Sequence, residues 1–297
     1  MKVLVIMGAT ATGKSELGIR LAQRFNGEII SADSIQVYKE LNIGSAKLKP
    51  EEMNNIPHHW ISMKNIEETS SVADFQTEAR ELIAQIDQRG KVPIVVGGTG
   101  LYIKALLYDY QFHKDLKPER DLSGYSNQEL YDRLLQVDPL QAEKIHINNR
   151  KRLERYFQSY HQQGKTRTEI LQKQTQKPLY ENKIYYLTGP RDWLRERFRT
   201  RVIKMIAEGL EQEVYEVSEQ GTNFEKVALS AIGYRQWAPY FKGEVSREEV
   251  IEKIVIATAQ FSKRQKTWFR NQLSGTLIDV SEQDAFERIE KEMAQWL

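Results

Sequence analysis

The chain has no cysteine among its 297 residues, which excludes disulfides and thiolate metal sites. Its five histidines lack the spacing of zinc ligands, so any metal is expected to be a hard cation held by oxygen. No apolar run approaches the roughly 20 residues a membrane span requires, and the opening residues 1–7 are too short for a signal peptide. No membrane partner is expected, and the cytoplasm is the expected location. A large excess of one charge is missing too, the net value being +2. With 40% hydrophobic and 28% charged residues, the composition is that of an ordinary globular chain, long enough for one large domain or two modest ones.

The near-neutral average hides an uneven distribution. Lys and Arg crowd into residues 150–155, 191–204 and 263–270. A charge run is ordinarily a solvated helix face. Three of them accompanying a phosphate loop favour a polyanionic partner, because nucleic-acid affinity rests mainly on phosphate neutralisation.

That loop follows a first strand predicted over residues 2–7. Gly8-Ala9-Thr10-Ala11-Thr12-Gly13-Lys14-Ser15 has P-loop spacing and leads into a helical pattern through Leu17, Leu21 and Phe25. Glycines let such a backbone curl so that successive N–H groups point inward, and the helix N-terminus adds partial positive charge. A diphosphate suits that cradle, with Lys14 on its oxygens and the Ser15 hydroxyl helping to hold Mg²⁺.

A second strand is predicted over 28–32, ending in Asp33-Ser34-Ile35-Gln36-Val37-Tyr38. Ser71 and Asp74 form a capping-box pattern ahead of a helical stripe of Val72, Phe75, Leu82, Ile83 and Ile86. A third strand, 92–96, runs into Gly97-Gly98-Thr99-Gly100. Alternating β and α units predict an α/β fold, a P-loop doubly wound parallel sheet. Polar, Gln-rich helical sequence then marks an inserted helical domain over 111–182, with main segments at 121–136 and 142–162. The catalytic core takes 1–110 and 183–297. It resumes with a strand at 183–187 and one long helix at 192–219, with Leu194, Phe198, Val202, Met205, Ile206 and Leu210 inward.

In such a sheet the active site lies beyond the carboxyl ends of the strands, which brings Asp33 and Thr99 to the P-loop. By position Asp33 is a general base, a magnesium ligand or a capping carboxylate. The loop alone is equally compatible with a small-molecule kinase or a nucleotide switch, since fold does not settle function.

The ordered motifs narrow the choice. Together with the Gly8–Ser15 loop and the Asp33–Tyr38 segment, the chain carries Pro57-His58-His59-Trp60, Gly97-Gly98-Thr99-Gly100-Leu101-Tyr102, Ile232-Gly233-Tyr234-Arg235-Gln236 and Lys263-Arg264-Gln265-Lys266-Thr267-Trp268-Phe269-Arg270. In these it resembles, over nearly its whole length, the tRNA dimethylallyltransferases, or tRNA isopentenyltransferases, of bacterial type. The resemblance implies transfer of a dimethylallyl group from dimethylallyl diphosphate to N6 of adenine 37 beside the tRNA anticodon, releasing pyrophosphate with Mg²⁺ assistance. A P-loop small-molecule kinase is the alternative.

By the same resemblance Asp33 is the base that takes the N6 proton, Thr99 sits at the reacting centre, and Lys14 and Arg235 stabilise the leaving pyrophosphate. Contacts to the anticodon stem-loop fall to Asp33, Ser34, Ile35, Gln36, Thr99, Arg120, Arg152, Arg155, Lys263, Arg264 and Arg270, with Gln36 the preferred reader of the flipped base. The chain departs from the family pattern at Arg155-Tyr156-Phe157-Gln158, where Arg-Ala-Leu-Glu is usual, and at Ser230, where many members carry arginine. A monomer is expected. His58 and His59 are read as a packing and hydrogen-bonding pair, Trp60, Trp193 and Trp237 as core, Trp268 as packing, and Arg191, Arg197 and Arg201 as helix surface.

Overall fold

The structure, a computed structural model, describes residues 1–110, 112, 121–173, 177–219, 224 and 228–297. It divides into two compact units, one formed by Met1–Leu107 with Pro178–Leu297, the other by Tyr108–Lys177.

The first unit is built on a six-stranded parallel sheet of order β3-β2-β4-β1-β5-β6. Its strands are β1 (Lys2–Gly8), β2 (Gly27–Ser31), β3 (His58–His59), β4 (Val92–Gly97), β5 (Glu181–Thr188) and β6 (Thr276–Asp279). The apolar run of β1 lies between β4 and β5, and Val3 to Ile6 are fully buried because helices cover both faces. On one face α1 (Lys14–Arg24) and α12 (Ala285–Trp296) pack Leu17, Leu21, Ile289 and Met293 against Leu4, Ile6, Ile94 and Tyr185. Side chains alternate along a strand, so Tyr186 points to the other face, where it stacks on Phe269 at 4.8 Å. Phe269 belongs to α11 (Arg247–Gln272), which runs beside α8 (Arg191–Ala207). The same unit contains α2 (Val72–Gln88) and α3 (Gly100–Leu107), joined by Phe75 on Tyr102 at 4.5 Å.

Three expectations change. The predicted helix 192–219 is two helices, α8 and α9 (Leu210–Glu219), separated at Gly209, whose φ of +101° no helix accommodates. The sheet gains β3 and β6, which are too short and too edge-bound for a periodic signal. Trp193 is only half-buried, under the Arg197 guanidinium at 4.7 Å, whereas Trp60 and Trp237 are core. His58 and His59 hydrogen-bond Ile56 O and the Glu28 carboxylate as expected, both at 2.8 Å.

The second unit comprises α4 (Asn127–Val137), α5 (Pro139–Ala142), α6 (Arg150–Gln163) and α7 (Arg167–Lys173). The segment expected to be helical over 142–162 is interrupted, and α6 starts afresh at Asn149, whose side chain accepts the Arg152 N–H. Leu130, Leu134, Leu153, Tyr156 and Phe157 form the core of this unit. Buried Asp138 ties its helices together, accepting from the Gln141 and Thr168 amides, the Thr168 hydroxyl and the Tyr156 hydroxyl. Among the described residues no helix is long and apolar enough to cross a membrane.

Candidate active site

β1 ends at the phosphate loop, and Gly13, with φ of +81°, turns the chain into α1. A Cβ at Gly13 would also stand 2.8 Å from the Phe286 ring of α12, so only glycine satisfies both the turn and the packing. The loop borders a cavity of about 680 Å³ lined on this side by Gly8, Thr10, Ala11, Gly13, Lys14 and Ser15. Ala9 and Thr12 of the expected cradle lie behind it, buried, with the Thr12 hydroxyl on Ala9 O at 2.8 Å. Lys14 Nζ bends back to the same carbonyl at 2.5 Å. Burial first, then the Arg201 guanidinium, push the Lys14 ammonium down to about 7, while Asp33 pulls the other way.

Parallel strands deliver the next groups. After β2, Asp33 Oδ1 accepts the backbone N–H of Ile35 at 2.9 Å and of Gln36 at 3.4 Å, fixing the carboxylate in a local turn. Oδ2 has no donor among the described residues, on a residue that lines the cavity. After β4, Thr99 lines the same cavity and directly precedes α3, its carbonyl accepting from Tyr102 at 3.0 Å. Ser34, Ile35 and Gln36 line it too. The Gln36 amide, expected to read a base, is engaged with protein: Oε1 accepts from Ser31 Oγ at 3.0 Å, and Nε2 donates to Ser45 O at 3.2 Å.

The far wall comes from α8 and α11. Phe198, Arg201, Val202 and Met205 recur at helical spacing on α8, facing Ile254, Thr258, Phe261 and Gln265 of α11. Arg201 is therefore not helix surface. Its Nε is buried without a partner among the described residues, and burial lowers its guanidinium's affinity for the proton despite the favourable field of Asp33. The signal in the sequence is a cation standing between Phe198 and Val202 on the inward stripe of α8. Arg197 lies one turn earlier and is exposed, with Nε on the Ala11 carbonyl at 2.7 Å. Gln265, which only the motif at 263–270 marks in the sequence, joins them: its Nε2 donates to Gly98 O at 2.7 Å and its Oε1 is buried without a partner among the described residues.

Arg235 and Arg264 are exposed at the cavity lining, with Ser230 beside them. Lys263 and Arg270 are exposed on α11 but do not line the cavity. In the second unit Arg152 and Arg155 are exposed together on α6. Arg120 lies outside the described residues. Trp268 packs over Gly100, in keeping with a packing role.

A phosphate loop opening onto a carboxylate and an apolar wall defines a P-loop α/β protein with one composite cavity at the carboxyl ends of its strands. The profile of the family described as IPP transferase matches residues 36–272, and the chain belongs to that family. The chain is 45% identical to a tRNA dimethylallyltransferase of Anoxybacillus flavithermus, covering 100% of this chain and 96% of the relative. With one from Geobacillus kaustophilus the identity is 43%, over the same shares. Its fold is similar to the crystal structure of a tRNA isopentenylpyrophosphate transferase from Staphylococcus epidermidis, with TM-score 0.74, 36% identity and 100% and 99% coverage. It is also similar to a eukaryotic dimethylallyltransferase captured acting on tRNA, with TM-score 0.83, 30% identity and coverage of 98% of this chain and 77% of that one.

Proposed function

We propose that this protein transfers the dimethylallyl group of dimethylallyl diphosphate to N6 of adenine 37 in the tRNA anticodon loop, giving N6-isopentenyladenosine and pyrophosphate. The observation that carries the reading is the composition of one cavity: Lys14 and Arg201 for a diphosphate, the stripe Phe198, Val202, Met205 and Ile254 for a hydrocarbon, and the open oxygen of Asp33 for a proton. Membership of the IPP transferase family supports it.

The diphosphate lies on the P-loop amides with Lys14 and Arg201 on its oxygens, joined by Arg235. The adenine leaves its stack to reach the cavity, at a cost of a few kcal/mol that a single-stranded loop keeps low. As the N6–carbon bond forms and the allylic carbon–oxygen bond breaks, the N6 proton passes to Asp33 Oδ2, and the electron pair leaves with pyrophosphate. Thr99 donates its hydroxyl to the bridging oxygen. Stabilisation of the leaving charge by preplaced cations is the largest contribution.

Mg²⁺ fits these residues. Among the described residues the Ser15 hydroxyl, on a residue lining the cavity, has no hydrogen-bond partner, and no cluster of three or more His, Asp or Glu forms an all-protein cation site. A magnesium ion would be held by Ser15 together with the substrate's own phosphate oxygens, the usual arrangement for a cation that dehydrates reluctantly, and it would neutralise charge on the diphosphate. Ser34, Ile35 and Gln36 frame the base. Arg120, Arg152, Arg155, Lys263, Arg264 and Arg270 contact the anticodon stem-loop backbone. Since one chain lines the cavity, a monomer suffices, working in the cytoplasm where its substrate is.

The test is incubation with Mg²⁺, dimethylallyl diphosphate and unmodified tRNA bearing adenines at 36 and 37, followed by nucleoside mass spectrometry. Prenylated adenosine at 37 is expected. No product, with ATP consumed on a panel of small hydroxylated acceptors, would select a kinase instead.

A further inference from the structure

Glu213 of α9 is not among the residues lining the cavity, yet it collects an unusual set of donors. Its Oε2 accepts the backbone N–H of Asn42 at 2.9 Å and of Ile43 at 2.7 Å. Its Oε1 accepts the N–H of Gly44 at 3.0 Å and the hydroxyl of Tyr234 at 2.9 Å. Three successive amides converging on one carboxylate form an anion nest filled from within the protein. Tyr234 completes the clamp from the other side, because a Cβ on Gly44 would stand 2.5 Å from its ring. Only glycine permits that approach.

Both clamped segments belong to the cavity wall. Gly44, Ser45 and Ala46 line it, as do Gly233 and Arg235 on either side of Tyr234. From the loop the contacts continue inward: the carbonyls of Ser45 and Ala46 hold Gln36 Nε2, and the Gln36 N–H donates to Asp33 Oδ1. Gly233 N–H in turn donates to Gln236 Oε1 at 3.0 Å, stiffening the opposite segment.

We infer that Glu213 is a positioning residue for prenyl transfer, clamping residues 42–46 to Tyr234 so that the Asp33 carboxylate and the wall beside it are held for the acceptor base. This rests on the function proposed above. Glu213 touches no substrate. Its effect reaches the reacting atoms through the loop, and among the described residues no such chain of hydrogen bonds runs to Lys14, whose own contact is the Ala9 carbonyl. A carboxylate accepts from all four donors, whereas an amide must turn its NH₂ toward some of them, so Glu213→Gln breaks the clamp at constant shape.

The experiment compares wild type, E213Q, Y234F and the double variant in single-turnover prenylation of tRNA and in calorimetric binding of magnesium pyrophosphate. E213Q is expected to slow the single-turnover step by roughly tenfold to a hundredfold, with a loss of pyrophosphate affinity much smaller than the loss of rate, since of the cations on the diphosphate only Arg235 adjoins the clamped Tyr234. Y234F, losing one donor, slows it less, and the double variant is no slower than E213Q, as expected for one clamp. An unchanged single-turnover rate in E213Q, a parallel loss of pyrophosphate affinity, or additive slowing in the double variant would each overturn the assignment. An inactive wild type would count against the proposed reaction and leave the pyrophosphate comparison standing.

Discussion

Arg201 on α8 and Lys14 at the start of α1 place two cations on one cavity, where the field of a single carboxylate, Asp33, favours the charge of both. Lys14 is folded onto the Ala9 carbonyl, and the Arg201 Nε is buried without an acceptor among the described residues. Two cations sharing one carboxylate are a cost in the empty protein, which a diphosphate bound as proposed above offsets.

Proton uptake on binding should report this directly. With the Lys14 ammonium held to about 7 by burial and Arg201, part of it is neutral at pH 7.5. A diphosphate favours the charged form and raises that value, so binding takes up a proton between about pH 7 and the ordinary lysine range. Affinity should fall as pH rises through this window. Calorimetry of pyrophosphate binding in buffers of differing ionisation enthalpy should give uptake of up to about one proton at pH 8, which K14M removes. Uptake that persists in K14M would assign the proton elsewhere.

The same pair predicts a gain in stability on losing function. Replacing Arg201 by Leu removes a guanidinium whose Nε is buried without an acceptor among the described residues and should raise the unfolding free energy of the empty protein by about 1 kcal/mol, while slowing prenyl transfer by roughly 10²–10³-fold. Sign is fixed by the site: a lysine with a depressed value prefers its neutral form, so the wild type should itself gain stability as pH rises above about 7. Denaturant melts of wild type and R201L at pH 6.5 and 9 check both statements. A destabilised R201L would show that the arginine holds the fold together.

Asp33 tests the chemistry. In D33N the side-chain oxygen still accepts the Ile35 and Gln36 amides, so the turn survives and only the basic oxygen is lost. Single-turnover prenylation should drop by at least about 10²–10⁴-fold, with tRNA affinity unchanged. A rate within tenfold of wild type would remove Asp33 from the role of base.

Much of this site was legible in the sequence because its signals are local. Strand, glycine turn and helix at residues 2–25 each depend on neighbours a few positions away, and the parallel sheet then carries Asp33 and Thr99 to the loop by topology alone. Other features depend on tertiary placement. The inward turn of Arg201 follows from which face of α8 meets α11. Glu213 acquires its role only because Gly209 redirects the chain and brings α9 to residues 42–44. The engagement of Gln36 with Ser45 and Ala46 likewise belongs to a loop whose course no periodicity encodes. The short edge strands β3 and β6 form because longer neighbours are already in place.

Two exposed arginines of α6 carry the proposed RNA contact of the second unit. Arg150 on that helix is consumed internally, by Glu154 and by the carbonyls of Leu122 and Tyr125, whereas Arg152 and Arg155 point outward, three residues apart on one face. Arginines that neutralise RNA phosphates release counterions, so binding weakens with salt in proportion to the number of contacts. Changing both to Ala should weaken tRNA binding at low salt and reduce the slope of log affinity against log salt by about 1.5, while pyrophosphate binding is unchanged. Because both side chains are exposed, the melting midpoint should move little. If R152A/R155A keeps the full slope, the anticodon stem does not lie on this face of α6. The basic residues of α11, Lys263 and Arg270, then become the ones to change.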